Sequence, residues 1–124
     1  MLRVRQQVGC SDELVNACGN KGITVAMLDT GIAVHPDFYN RIIDFKDFVN
    51  GKSALYDDSG HGTHVAGCLC GSGQISKGQY KGIAPRTRIV VGKVLDYLGD
   101  GNIETMVRGI EWVLEKQHAY DIRI

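Results

Sequence analysis

No apolar run in this sequence approaches the about 20 residues that cross a bilayer, and there are no repeats or low-complexity stretches. A membrane-spanning segment and a repeat architecture are thereby excluded as readings of these residues. Charge of one sign is also missing. The 14 Lys and Arg residues balance the 14 Asp and Glu residues, which leaves no bulk attraction for nucleic acid or an anionic membrane. Neither is expected as a partner. The basic stretch Lys77 to Lys93 reads as a solvated face. The opening "MLRVRQQVGCSDEL" has charge but no apolar h-region, so it does not read as a secretion signal. Cysteine is too sparse for a disulfide-built scaffold. Cys10, Cys18, Cys68 and Cys70 read as reduced thiols of a cytoplasmic protein, with metal binding or disulfides as alternatives. Cys68 and Cys70 lie two apart on a predicted helix and point to different sides, so they should not bridge each other.

What is present suits one domain with a real core: 124 residues, 44% apolar and 23% charged. Ser11 can cap a short helix, with Asp12 and Glu13 in its first turn and Gly19 at its end. Ile23 to Leu28, "ITVAML", is almost wholly apolar and suits a strand buried on both faces. Arg41 to Val49 and Arg88 to Leu95 read as two further strands. Gly62 to Cys70 reads as a helix with Val65, Cys68 and Leu69 on one stripe. Asn102 caps a longer helix that has Glu104 in its first turn. Its expected apolar face is Ile103, Met106, Val107, Ile110, Val113 and Leu114. Tyr120 to Ile124 then reads as the start of a fourth strand. Alternating strands and helices imply an α/β fold with a parallel sheet. A domain that stopped in a buried strand would leave backbone groups without ladder partners, so the chain is expected to be part of a larger unit.

In open α/β sheets, functional groups gather at the carboxyl ends of the strands. Asp29 follows the first strand in "LDTG", and His61 opens the helix after the second strand in "SGHGTHVAG". A carboxylate and an imidazole meeting there would serve as orienter and general base. The carboxylate would hold Nδ1–H and leave Nε2 to take a proton from a nucleophile. Gly60 and Gly62 would allow a tight turn and a close approach. His64 lies one turn beyond His61, but no third ligand for a metal is evident. It is expected to point away from the cleft, into packing or backbone hydrogen bonds. His35 is expected in a turn before Pro36 and His118 on the surface.

These residues resemble the subtilisin-like serine proteases. "VAMLDTGIAVHPDF" resembles that family's aspartate motif and "HGTHVAG" its histidine motif. "GIAP", "KVLD", "GDGN" and "GIEWVLE" follow in the family's order, so the resemblance runs from about Gly22 to Ile124. It implies a partial three-layer fold with a mostly parallel sheet flanked by helices, cut short after the start of a central strand. Residues 1–124 would be the N-terminal portion of one peptidase domain, acting on peptides or proteins. Asp29 and His61 would be two members of an Asp-His-Ser triad. Gly99, Asp100 and Gly101 would pair with an extended peptide, Leu95 and Ile103 would wall its side-chain pockets, and Asp100 would favour basic side chains.

Two departures qualify that resemblance. No G-T-S-M-A-like nucleophile motif occurs, since Ser11, Ser53, Ser59, Ser72 and Ser76 all lie in other contexts. The serine and the remainder of the domain would come from outside this chain, which alone should be inactive. "CGSGQISKGQYKG" replaces a loop that helps bind calcium in many relatives, leaving Asp37 as the one matching ligand. Two rivals stand beside this reading: a noncatalytic module built on half a protease fold, and an all-β aspartic protease of the retroviral D-T-G type.

Overall fold

The computed structural model describes residues 2–17 and 23–124. Among these residues three strands form one parallel sheet in the order β1-β3-β2: β1 (Thr24–Asp29), β2 (Ile42–Asp47) and β3 (Arg88–Lys93). β3 lies in the centre because every residue from Ile89 to Lys93 is buried and it offers an apolar side chain to each face. Ile89 and Val91 join Met27 of β1 on one face, where α3 (His61–Cys70) covers them with Ala66 and Cys70. Val90 and Val94 face the other way, with Trp112 of α4 (Ile103–Tyr120) and with Phe48. The result is three layers, helix on sheet on helix. An all-β aspartic protease fold is incompatible with it.

The helices depart from the expected stripes in an informative way. α4 packs through buried Gly109 and Trp112, with Met106 and Val113 partly covered. Ile103, Val107, Ile110 and Leu114 stand on a neighbouring ridge and are exposed. Apolar periodicity gave a stripe broader than the one facing this sheet, and it passed over Gly109, whose small size brings the helix close. On α3 the buried line is Gly62, Ala66 and Cys70, with Val65 and Leu69 partly covered. Cys68 is only half-buried and lines a groove.

The chain ends also differ from expectation. α4 runs through Tyr120 and closes on Asp121, which adopts a left-handed conformation. Strand-like pairing therefore begins at Ile122, not Tyr120. Ile122 bridges Thr24 in parallel, Arg123 N–H donates to Thr24 O at 2.9 Å, and Ala26 N–H donates to Ile124 O at 2.8 Å. At the other end α1 (Leu2–Gln7) was not expected, because its apolar residues lack helical spacing and stay exposed. Its buried side chain is Arg5, which donates to the carbonyls of Gly82 and Ile83 and to Asp12. α2 (Asp12–Ala17) follows, with Ser11 Oγ accepting from Leu14 N–H at 3.1 Å as a cap. Its expected end at Gly19, and Cys18, lie outside the described residues. Cys10, Cys68 and Cys70 are free thiols. Burial pushes the Cys70 thiol up and leaves it little thiolate.

The packing face of α4 can be tested by unfolding the complete protein in urea. Trp112→Ala should cost about 3–5 kcal/mol. Leu114→Ala, on the exposed ridge, should cost about 0.5 kcal/mol or less. Equal losses would mean that the helix packs on its broader apolar stripe.

Candidate active site

β1 and β2 both run parallel to β3, so their carboxyl ends meet at one edge. β1 delivers Asp29 to that edge. The segment after β2 returns across it and starts α3 at His61. Asp29 is buried, and its Oδ1 lies 2.8 Å from His61 Nδ1. It also accepts from Thr30 N–H at 2.7 Å. A carboxylate accepts only, so Nδ1 carries the hydrogen of this pair, and in the neutral ring Nε2 keeps a lone pair. The His61 side chain is 64% exposed, so Nε2 is open to a reacting partner. The Asp29 hydrogen bond, reinforced by the charges of Asp29 and Asp57, raises the imidazole above its ordinary titration range.

Close packing at the start of α3 makes this contact possible. A Cβ on Gly62 would lie 2.3 Å from the Gly31 carbonyl oxygen and 3.1 Å from Asp29 Oδ1. Only a residue without a side chain brings the helix so near the end of β1. Gly60, the N-cap, has φ 88° and supplies no side-chain cap. Asp57 supplies it from upstream. Its Oδ1 accepts from Gly60 N–H at 2.8 Å and Thr30 Oγ1 at 2.9 Å, and its Oδ2 accepts from Thr63 N–H at 2.8 Å and from the Thr63 hydroxyl. Thr30 Oγ1 in turn accepts from Gly62 N–H at 2.9 Å. Burial alone would raise the Asp57 pKa, but these donors outweigh it and hold the group down at about 2. Sequence reasoning missed Asp57 and Thr30. The available signal was an acidic residue just upstream of a glycine-started helix with a threonine in its first turn.

The expected substrate residues lie at the same edge. Leu95 follows β3, and its own N–H donates to Asp29 O at 3.2 Å. Asp96 closes a tight turn: its N–H donates to Asp100 O at 2.8 Å, and its Oδ1 accepts from Asp100 N–H at 3.0 Å. The Asp100 N–H and carbonyl are therefore occupied, and Gly99 N–H donates to Asp96 O at 3.1 Å, which leaves less of the 99–101 backbone free for a peptide than expected. Gly101 takes no part in these bonds and lies against Leu95, since a Cβ there would meet Leu95 Cδ2 at 2.7 Å. The Asp100 side chain and Ile103 are exposed.

His64 does not pack internally. It is exposed and lines a groove of about 700 Å³ along α3 with His35, Asp57, Cys68 and Tyr80. His35 sits at the turn before Pro36, where its Nδ1 accepts from Asp37 N–H at 3.1 Å. His118 is exposed in the last turn of α4. Asp37 Oδ1 accepts from Ile75 N–H at 3.1 Å and Ser72 Oγ at 3.4 Å, and its carbonyl accepts from the Arg41 guanidinium. Among the described residues no cluster of three His, Cys, Asp or Glu side chains could hold a metal.

Two measurements test this electrostatic picture. An NMR titration of the His61 ring should give a midpoint above about 6.5, and Asp29→Asn should lower it. Because the folded-state value is raised, the pair stabilises the fold at low pH. That contribution disappears as pH rises through the folded pKa. Asp57 has the opposite sign: its stabilisation is complete above about pH 4 and fades as pH falls toward 2. Asp57→Ala should cost about 2 kcal/mol at neutral pH, and the gap from the unaltered chain should close in acid.

The relatives carry the same theme. The Subtilase family profile matches residues 20–123. Serine protease AprX of Bacillus subtilis (strain 168) is 50% identical over 95 residues, covering 77% of this chain and 22% of that protein. The major intracellular serine protease of the same organism is 41% identical over 103 residues, covering 78% of this chain and 32% of its own length. A crystal structure of a cold adapted subtilisin-like serine proteinase superposes with a TM-score of 0.66 at 36% identity, over 77% of this chain and 33% of that one. The chain thus spans about a fifth to a third of these relatives. With its Asp29–His61 edge and its helix–sheet–helix layering, it belongs to the Subtilase family.

Proposed function

We propose that residues 1–124 are the N-terminal portion of the catalytic domain of a serine endopeptidase. The observation that supports this best is the 2.8 Å contact between Asp29 Oδ1 and His61 Nδ1, on a His61 side chain that is 64% exposed. In this reading a serine from the remainder of the peptidase domain meets Nε2. His61 accepts the hydroxyl proton as the serine oxygen attacks the peptide carbonyl, then returns it to the leaving amine. Asp29 holds the ring in place and stabilises the imidazolium. The raised imidazole pKa means that the base form, and so activity, is lost as pH falls through it.

The substrate is a peptide or protein. Gly99, through its carbonyl, and Gly101 offer backbone groups to an extended chain, Leu95 and Ile103 wall its side chains, and Asp100 favours basic residues. The partner that completes the site is the rest of the domain, and neither nucleic acid nor a membrane is part of the reading. No helix among the described residues is long and apolar enough to cross a membrane. Free thiols and similarity to a major intracellular serine protease support a cytoplasmic location.

An active-site phosphonate tests the division of labour. The isolated 124-residue chain should stay unlabelled, and the complete protein should be labelled on a serine outside these residues. In the complete protein His61→Ala should lower kcat by about 10⁶, the loss found when the base is removed from subtilisin itself. A complete protein that resists labelling and cleaves nothing would leave the noncatalytic module in place.

A further inference from the structure

Lys93 ends the central strand with no solvent exposure at all. A buried ammonium persists only where it is paired and fully hydrogen-bonded. Its Nζ donates to Thr30 O at 2.6 Å, Asp58 Oδ1 at 2.7 Å and Leu95 O at 2.9 Å. That uses all three of its N–H donors. The Tyr56 ring lies 5.1 Å away and covers it. Core filling does not explain this choice, because the same face of β3 is otherwise apolar, through Ile89 and Val91. An apolar side chain in place of a buried ion pair is often neutral or stabilising.

The partners suggest what the cation is for. Thr30 directly follows Asp29. Asp58 belongs to the segment that leads into His61. Leu95 stands on the cleft side of β3, where the proposed substrate wall begins. These are three separate stretches of chain, and the ammonium is their common point of attachment. Asp57 secures the start of α3 to β1 but makes none of these bonds to Leu95.

We infer that Lys93 is a positioning residue, holding the Asp29–His61 pair and the Leu95 wall at a fixed spacing so that a bound peptide meets Nε2 in register. It acts through Thr30, Asp58 and Leu95, and the inference rests on the peptidase reading above. A small ester that occupies only the reacting centre should depend on this spacing weakly. A peptide that extends along the Leu95 wall should depend on it strongly, since misplacement by about 1 Å can cost about 100-fold.

The test compares kcat/KM for an extended peptide and a single-residue ester, using the complete protein and its Lys93→Met and Asp58→Asn variants. Lys93→Met should lower the peptide value about 100-fold and the ester value much less. Asp58→Asn keeps both carbonyl contacts and should shift the ratio in the same direction by a smaller factor. A merely structural role would lower the amount of folded enzyme and reduce both substrates in parallel. An unchanged peptide-to-ester ratio in folded Lys93→Met would overturn the inference. If that variant does not fold, an unchanged ratio in Asp58→Asn overturns it. Unaltered protein that cleaves neither substrate and resists the phosphonate would defeat the peptidase reading, and this inference with it.

Discussion

Everything at the candidate site depends on how closely the first turn of α3 approaches the end of β1. Gly62 sits against the Gly31 carbonyl at a distance that no β-carbon allows, with Asp29 close beside it. That contact brings His61 down onto Asp29. It also places the helix's first N–H groups within reach of Asp57 and Thr30, which would otherwise have to be satisfied by water. With a wider gap, Asp57 would lose its bond from Thr30 and the imidazole would lose its partner, although Asp57 would keep the donors of its own segment.

The sheet and the pairing at its edge were legible in the sequence for a simple reason. "ITVAML" and the "IVV" of "RIVVGKVL" are largely apolar and β-branched, which in a chain of this composition suits strands covered on both sides. Parallel strands put their carboxyl ends together, so residues following them must share an edge. Asp29 and His61 are 32 positions apart, and the parallel topology carries both to the edge where the Gly62 approach joins them.

The faces of the helices were less legible. Periodicity identifies an apolar sector but not the part of it that meets a given sheet. On α4 the contact centres on Gly109 and Trp112, because a glycine lets Val94 and Leu28 pack against the helix backbone. No hydropathy pattern ranks glycine as a packing position. His64 failed similarly: two histidines a turn apart on one helix cannot both face the strand ends, and the sequence did not say which neighbours would cover the second. Asp57 and Lys93 were missed because their importance lies in the partners gathered around them. Those partners come from segments that only the fold unites.

The junction of Gly31 and Gly62 also has an evolutionary consequence. Gly31 lies against the Tyr56 carbonyl, Ile32 N–H donates to that same carbonyl, and Gly31 bridges Asp57. Displacement of either glycine therefore reaches Tyr56 and Asp57 before it reaches solvent. Substitutions here should be epistatic: a change tolerated at one of these positions should depend on what occupies the others. Sequence drift at this edge would then proceed in linked sets, while the exposed ridge of α4 is free to vary one residue at a time.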